Sequence, residues 1–349
     1  MKLLVGLLTI LFLNFSYADN LVKPGQIWTD KTGQIINAHG GSIIKVGDKY
    51  YWFGENRKPK GLINKVNAYS STDLVNWESH GVVLDLSKLP IRHDLERPKV
   101  IYNRKNNEYV MWMHIELNGH YTAGKAGVAT SKNILGPYTY QSDFWPNSGI
   151  LPLNRDGNKS QANVVKADKS FAHYFTRGQM FRDMNLFIDD DEKAYVVYES
   201  EDDDSLQIAE LTSDYKSLTG KYARILVGKK NEAPALFKRN NRYYLITSGL
   251  HGYTPTTGRL SSSNNIFGPW VSHGSPFKHD GKFKVARSFD SQPTAVISVQ
   301  GEYYYMGDRW NGEDLTLSTY VWLPIKWHNE LPFIEWADSW KFNKIGKFH

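Results

Sequence analysis

The chain has 349 residues, with 42 Lys and Arg against 36 Asp and Glu, and no cysteine. Without thiols there can be no disulfide framework, thiolate nucleophile or thiolate metal site. The net charge of +6 is dispersed rather than striped, which argues against a nucleic-acid surface, whereas 11 Trp, 21 Tyr and 16 Phe supply rings for packing and for stacking on the C–H faces of sugars.

At the N-terminus, Lys2 precedes an apolar run from Leu3 to Phe15, and Ser16-Tyr17-Ala18 offers small residues where a signal peptidase reads. The run is shorter than the ~20 apolar residues of a spanning helix. Residues 1–18 are therefore expected to be a cleaved signal peptide. The mature protein would begin at Asp19, be exported to the periplasm or secreted, and have no membrane contact after cleavage.

Five stretches then repeat one pattern: GGSIIKVGDKYYWFGE from Gly40, RPKVIYNRKNNEYVMWMHI from Arg97, RDMNLFIDDDEKAYVVYES from Arg182, EAPALFKRNNRYYLITSG from Glu232 and SQPTAVISVQGEYYYMGDRW from Ser291. Each reads as an apolar strand, a polar turn and a second strand rich in Tyr and Val. A further strand follows each hairpin, near Tyr69, Val128, Ile208, Leu260 and Tyr320. Two of these strands run on into related endings, Leu135-Gly136-Pro137-Tyr138 and Phe267-Gly268-Pro269-Trp270. An isolated hairpin leaves an apolar face and edges exposed, and radial stacking of repeats buries both. The expected fold is all-β, a five-bladed β-propeller, with residues 19–349 as one domain. A β-sandwich would have no reason to repeat the whole unit.

A propeller gathers equivalent positions of its repeats around one mouth of the central channel. Before or at the innermost strands stand His39, Glu96, Arg182 with Asp183, Glu232, and Asp290 with Gln292. At the far ends of the hairpins stand Glu55, His114 with Glu116, Glu199 with Glu201, His251, and Asp308 with Arg309. Buried carboxylates without partners are costly, so their convergence suggests acid/base work on a glycoside, in which one carboxylic acid protonates the leaving oxygen. A second carboxylate nearby would keep that acid protonated. On spacing alone, ion pairing between Glu96 and Arg97 or Arg182, and Glu199 and Glu201 as mere strand ends, explain the same pattern. The run Asp189-Asp190-Asp191-Glu192 occupies a hairpin turn, and the tail of Glu201-Asp202-Asp203-Asp204 reads as a solvated turn. The histidines lack the two-at-four-residue spacing of a zinc site. No cofactor is expected, with a structural or channel cation left open.

Residues 36–55, 96–114, 182–201, 232–249 and 291–310 resemble glycoside hydrolase family 43, and most closely its exo-β-1,3-galactanase branch. The resemblance spans essentially the whole mature chain. It implies an inverting, exo-acting enzyme on a five-bladed propeller. Residue by residue, it implies Glu201 as the general acid and Glu96 as the second-blade carboxylate. The first-blade Asp base usual in the family is replaced by Asn37-Ala38-His39-Gly40. The galactanase branch likewise lacks that Asp and is thought to use a glutamine in its imidic-acid tautomer, which makes Gln292 the candidate here, either as base or as a residue that orients water. His39, Glu55 and Glu232 are expected subsite residues, with Tyr253, Trp112 and Trp310 as stacking rings. The segment Gly252-Tyr253-Thr254-Pro255-Thr256-Thr257 departs from the galactanase pattern, which leaves the sugar open. The expected partner is a galactan or arabinogalactan polysaccharide or oligosaccharide, cleaved as an exo-β-1,3-galactosidase by a monomer. An α-L-arabinofuranosidase, a β-xylosidase or a non-catalytic carbohydrate-binding propeller are the alternatives.

Overall fold

A computed structural model describes residues 20–155, 168–278 and 287–342; the signal peptide expected over 1–18 lies outside them. The strands fall into five four-stranded antiparallel sheets, each in sequence order. Blade 1 holds β1 (His39–Val46), β2 (Lys49–Glu55), β3 (Lys65–Ser71) and β4 (Glu78–Asp85). Blade 2 holds β5 (His93–Asn103), β6 (Glu108–Leu117), β7 (His120–Ser131) and β8 (Thr139–Phe144). A short helix α1 (Lys169–Phe175), capped by Asp168, lies in the link to blade 3, which holds β9 (Met184–Ile188), β10 (Ala194–Ser200), β11 (Ser205–Leu211) and β12 (Leu218–Ile225). Blade 4 holds β13 (Asn231–Arg239), β14 (Arg242–Gly249), β15 (Arg259–Ser263) and β16 (Val271–Gly274). Blade 5 holds β17 (Gln292–Val299), β18 (Glu302–Arg309), β19 (Thr319–His328) and β20 (Leu331–Ile334). The fold is the expected five-bladed propeller.

Strand alternation builds the core. Successive side chains point to opposite faces of a sheet, and in a propeller both faces meet a neighbouring blade. Met111 and Met113 of β6 therefore pack with Phe53 and Val66 of blade 1. Trp112, between them, packs with Val196 and Tyr198 of blade 3. On β10, Tyr195 and Val197 turn the other way, onto Leu236 and Leu245 of blade 4. Blades 4, 5 and 1 share one cluster around Trp52, Trp77, Tyr305 and Trp322, with the Trp52 and Trp322 rings 4.8 Å apart between blades 1 and 5.

The ring is closed by its ends: Val22 exchanges two backbone hydrogen bonds with Trp340, at 2.8 and 3.0 Å, and the Gly25 N–H donates to the Tyr320 carbonyl at 2.7 Å. Four innermost strands carry a one-residue bulge near the channel mouth, between His39 and Ser42, Glu96 and Lys99, Glu232 and Ala235, and Pro293 and Ala295. The bulge residues Gly40, Arg97 and Ala233 adopt left-handed backbone, with φ of 58°, 53° and 55°. Only glycine fits the first: a Cβ there would lie 2.4 Å from Glu55 Oε1. The bulges re-aim the chain, which is how such irregularities serve sites on barrel and propeller rims.

Candidate active site

Register defines the rim. In blades 1, 2, 4 and 5 the ladder pairs His39 with Glu55, Glu96 with His114, Glu232 with Ser248, and Gln292 with Asp308. In blade 3 the pairing Tyr198–Met184 continues to Glu199 and Asp183, joined by a backbone hydrogen bond of 3.0 Å. The rim position of blade 3 is therefore held by Glu199.

These residues surround a cavity of about 230 Å³ lined by Glu55, Arg57, Glu96, Arg97, Tyr121, Arg182, Asp183, Glu199, Asp203, Glu232, Leu250, Gly252, Tyr253, Gln292 and Trp310. Six carboxylates beside three guanidiniums make a polar pocket. Of its three rings, Trp310 and Tyr253 lie 5.6 Å apart, with the Arg57 guanidinium 5.1 Å from the Trp310 ring, and Tyr121 is the third.

Glu199 is 3% exposed, and its Oε1 makes no hydrogen bond among the described residues. Burial, and then the negative charges of Asp183, Asp203 and Glu232, push its pKa well above the usual carboxylate range. Glu232 is likewise raised to about 8, by burial and Asp183, against the opposing charge of Arg97. Oxygens of Asp183, Glu199 and Glu232 lie within 4.8 Å of one another, close enough to share a cation. Asp183 already pairs with Arg97 Nε at 2.9 Å, while its neighbours Glu199 and Glu232 favour protonation, so these two are arranged to hold protons.

Glu96 behaves in the opposite way. Burial acts to raise its pKa, but His114 and Arg57 outweigh that and hold it far below the ordinary range. Arg57 Nη2 donates to its Oε1 at 3.1 Å, Tyr121 donates its hydroxyl at 3.0 Å, and His114 Nδ1 lies at 3.4 Å. His114 sits between Glu96 and Glu116; burial lowers its pKa, yet the two carboxylates raise it to about 9. Glu116 is anchored by the backbone N–H groups of Thr122, Ala123 and Gly124. The pocket thus joins an ionised side, Glu96 with Arg57, to a proton-holding side, Glu199 and Glu232.

Gln292 bridges that second side to the rim of blade 5. Its Oε1 accepts from Arg97 Nη2 at 2.5 Å and from Trp310 Nε1 at 2.9 Å, and its Nε2 donates to Glu232 Oε1 at 2.9 Å. Both acceptor directions of the amide oxygen are filled.

Of the residues singled out from sequence, Glu55, Glu96, Glu232, Tyr253, Gln292 and Trp310 come together at this cavity. His39 does not line it: fully buried, it lies behind Trp310, with Nδ1 3.2 Å from Asp308 Oδ1 and its ring stacked on Tyr320 at 4.7 Å. Trp112 is also corrected. Strand parity points it into the interface of blades 2 and 3, where its Nε1 donates to the Tyr215 carbonyl at 2.7 Å, so it cannot stack on a ligand.

The chief correction concerns Glu201. It lies beyond the end of β10, in a turn where Glu201, Asp202 and Asp203 all have left-handed backbone. Its fully buried carboxylate faces away from the cavity and is gripped by Arg224, through Nε at 2.6 Å and Nη2 at 2.5 Å, with Gln207 donating at 3.0 Å. Arg224 also binds Asp168, the cap of α1, so Glu201 staples the turn to the helix. The same turn brings Asp203, expected in solvent, to the cavity beside Arg182 at 3.4 Å. Arg57, Arg97 and Tyr121 were not anticipated; the left-handed bulge that aims Arg97 inward leaves no mark in the sequence.

Residues 150–307 match the model of glycosyl hydrolases family 43. No curated protein matches the chain. Among solved structures, a family 43 β-1,3-galactosidase determined with galactodeoxynojirimycin is 39% identical, with a TM-score of 0.86 and coverage of 92% of this chain and 100% of that one. An exo-β-1,3-galactanase from Clostridium thermocellum is 35% identical, with a TM-score of 0.81 and coverage of 93% and 67%. Another from Phanerochaete chrysosporium, solved with β-1,3-galactotriose, is 32% identical, with a TM-score of 0.78 and coverage of 93% and 69%. Identity at this level along nearly the whole chain, on the same five-bladed ring, makes this protein a member of glycoside hydrolase family 43.

Proposed function

We propose that the protein is an inverting exo-β-1,3-galactosidase that removes terminal galactose from β-1,3-galactan or its arabinogalactan relatives. One observation carries the mechanism: Glu199, on the wall of a pocket otherwise lined by paired charges, has a raised pKa and a carboxyl oxygen left without a hydrogen bond among the described residues. A carboxylic acid that stays protonated near neutral pH is what a departing glycosidic oxygen requires. Asp183 and Glu232, which raise it, are the tuning residues, and both are placed to bind sugar hydroxyls. Glu96, pinned as a carboxylate by Arg57, His114 and Tyr121, serves as a hydrogen-bond acceptor rather than as the residue that keeps the acid protonated.

Gln292 is separated from Glu199 by Glu232 and holds the water side of the pocket. To take a proton from that water, its Oε1 must release Arg97 or Trp310; in the bonded form it orients rather than accepts. Trp310 and Tyr253 supply the ring surface for a sugar face. The galactosyl preference is supported by the galactosidase and galactanases that the chain resembles. Export, expected from residues 1–18, suits a polymeric substrate. Product analysis on β-1,3-galactan, arabinan and xylan, with the anomer followed by NMR, tests the reading: free galactose released first as the α-anomer supports it, and β-galactose or pentose products refute it.

A further inference from the structure

Just below the rim, the ladder position two residues in from each rim residue of the second strand pairs with Ser42 in blade 1, Lys99 in blade 2, Asn185 in blade 3, Ala235 in blade 4 and Ala295 in blade 5. Lys99 is the one long charged side chain of this layer. It is 1% exposed and crosses the channel, its Nζ donating to the Gly40 carbonyl of blade 1 and lying 3.5 Å from Thr294 Oγ1 of blade 5. Thr294 in turn donates to the Gly41 carbonyl at 3.0 Å, and Asn185 of blade 3 donates to the Thr294 carbonyl at 2.9 Å. Four of the five blades are therefore tied together at one level. Lys99 and Asn185 also line a recess of about 600 Å³ that opens on the opposite side of the ring, while Arg97 and Asp183, two residues earlier on the same strands, line the sugar cavity. Lys99 is thus part of the floor that divides the two spaces.

A buried ammonium normally has a carboxylate partner, because desolvating the charge is expensive. Among the described residues, the hydrogen-bonding partners of Lys99 are a carbonyl and a hydroxyl. Oxygen donors of this kind, gathered on a channel axis, are those that would otherwise hold a small inorganic cation. We propose that Lys99 is a tethered cation built into the channel, which plugs the axis and positions the rim by drawing Gly40 and Thr294 toward it. The residues it holds lead directly to the site: the Gly40 N–H donates to Asp308 at 3.0 Å, and Thr294 follows Gln292 by two positions. Lys99 is a positioning residue and touches no substrate. Burial and the Arg97 guanidinium lower its pKa to about 7, so the charged form is populated chiefly below that pH, and the binding test is set at pH 6.

The kinetic part of the test rests on the glycosidase reading, and the binding part does not. Lys99→Met keeps an unbranched chain one atom shorter and removes the charge. It should lower kcat on β-1,3-galactobiose by about tenfold or more, with KM changed less than kcat, because groups on the rim drift from their productive positions. Lys99→Ala leaves a vacancy that propylammonium can enter, whereas 1-propanol matches its shape without its charge. At pH 6, propylammonium should raise the Tm of Lys99→Ala but not that of the wild type, and should restore part of its kcat; 1-propanol should do neither. Wild-type kcat in Lys99→Met, or equal stabilisation of Lys99→Ala by propanol, would overturn the inference. If the wild type proves inactive on every galactan, the function assigned above fails, while the melting comparison still decides the role of Lys99.

Discussion

Glu199 and Glu201 stand two positions apart and differ in their counter-charges. Glu201 shares a bidentate contact with Arg224, whereas Glu199 is surrounded by other carboxylates. Glu199→Gln should therefore lower kcat by about 100-fold or more with little change in Tm, since it removes a proton donor and relieves a raised pKa. Glu201→Gln should do the reverse in stability, costing about 3 kcal/mol because Arg224 loses its bidentate carboxylate and keeps only Asp168 as an ion-pair partner among the described residues, as denaturant titration would read. A kcat loss in Glu201→Gln as deep as that in Glu199→Gln, with Tm intact, would return the acid to position 201. Gln292→Glu keeps an acceptor for Arg97 and Trp310, and Glu232, protonated up to about pH 8, can donate to it. It should retain more activity than Gln292→Ala, and equal losses would remove Oε1 from any part in water handling.

His114 gives the site a pH limit whose sign can be worked out. Its pKa is raised from 6.5 to about 9, so between those values the folded state binds more of its proton than the unfolded chain does. Its contribution to stability is complete below about pH 6.5 and is lost as pH rises through about 9. Thermal melts of His114→Gln should therefore fall furthest below wild type near pH 6, and the gap should narrow by about pH 9.5. A gap that is constant across this range would show that the imidazolium is not shared with Glu96 and Glu116.

Among elements, alternation decides what the sequence reveals. Five hairpins are legible because a period of two and Tyr-rich second strands survive in every repeat. Counting five residues on from the tyrosine near the start of the second strand reaches the rim in four blades, from Tyr50, Tyr109, Tyr243 and Tyr303 to Glu55, His114, Ser248 and Asp308. In blade 3 it is the ladder register that selects Glu199, whereas the motif match to Glu201 runs one residue past the end of β10. Trp112 fails the same parity rule, lying between Met111 and Met113 on the face turned to blade 3. Trp112→Ala should accordingly cost about 3–5 kcal/mol in unfolding free energy while leaving KM for galactan oligomers unchanged. What no pattern discloses is backbone geometry: the left-handed bulge at Arg97 and the left-handed turn through Asp203 deliver both side chains to the cavity from positions that read as ordinary strand and loop.

For the molecule as a whole, the seam between blades 5 and 1 is fastened by the short exchange between Val22 and Trp340 rather than by a strand shared between sheets. The sugar cavity straddles that seam, with Glu55 and Arg57 on one bank and Gln292 and Trp310 on the other. A galactosyl unit bound there acts as a clasp across a split collar. Galactose should slow amide exchange at Val22 and Trp340, remote from where it sits, more than at the interface of blades 2 and 3, so that feeding the enzyme also keeps its hoop shut.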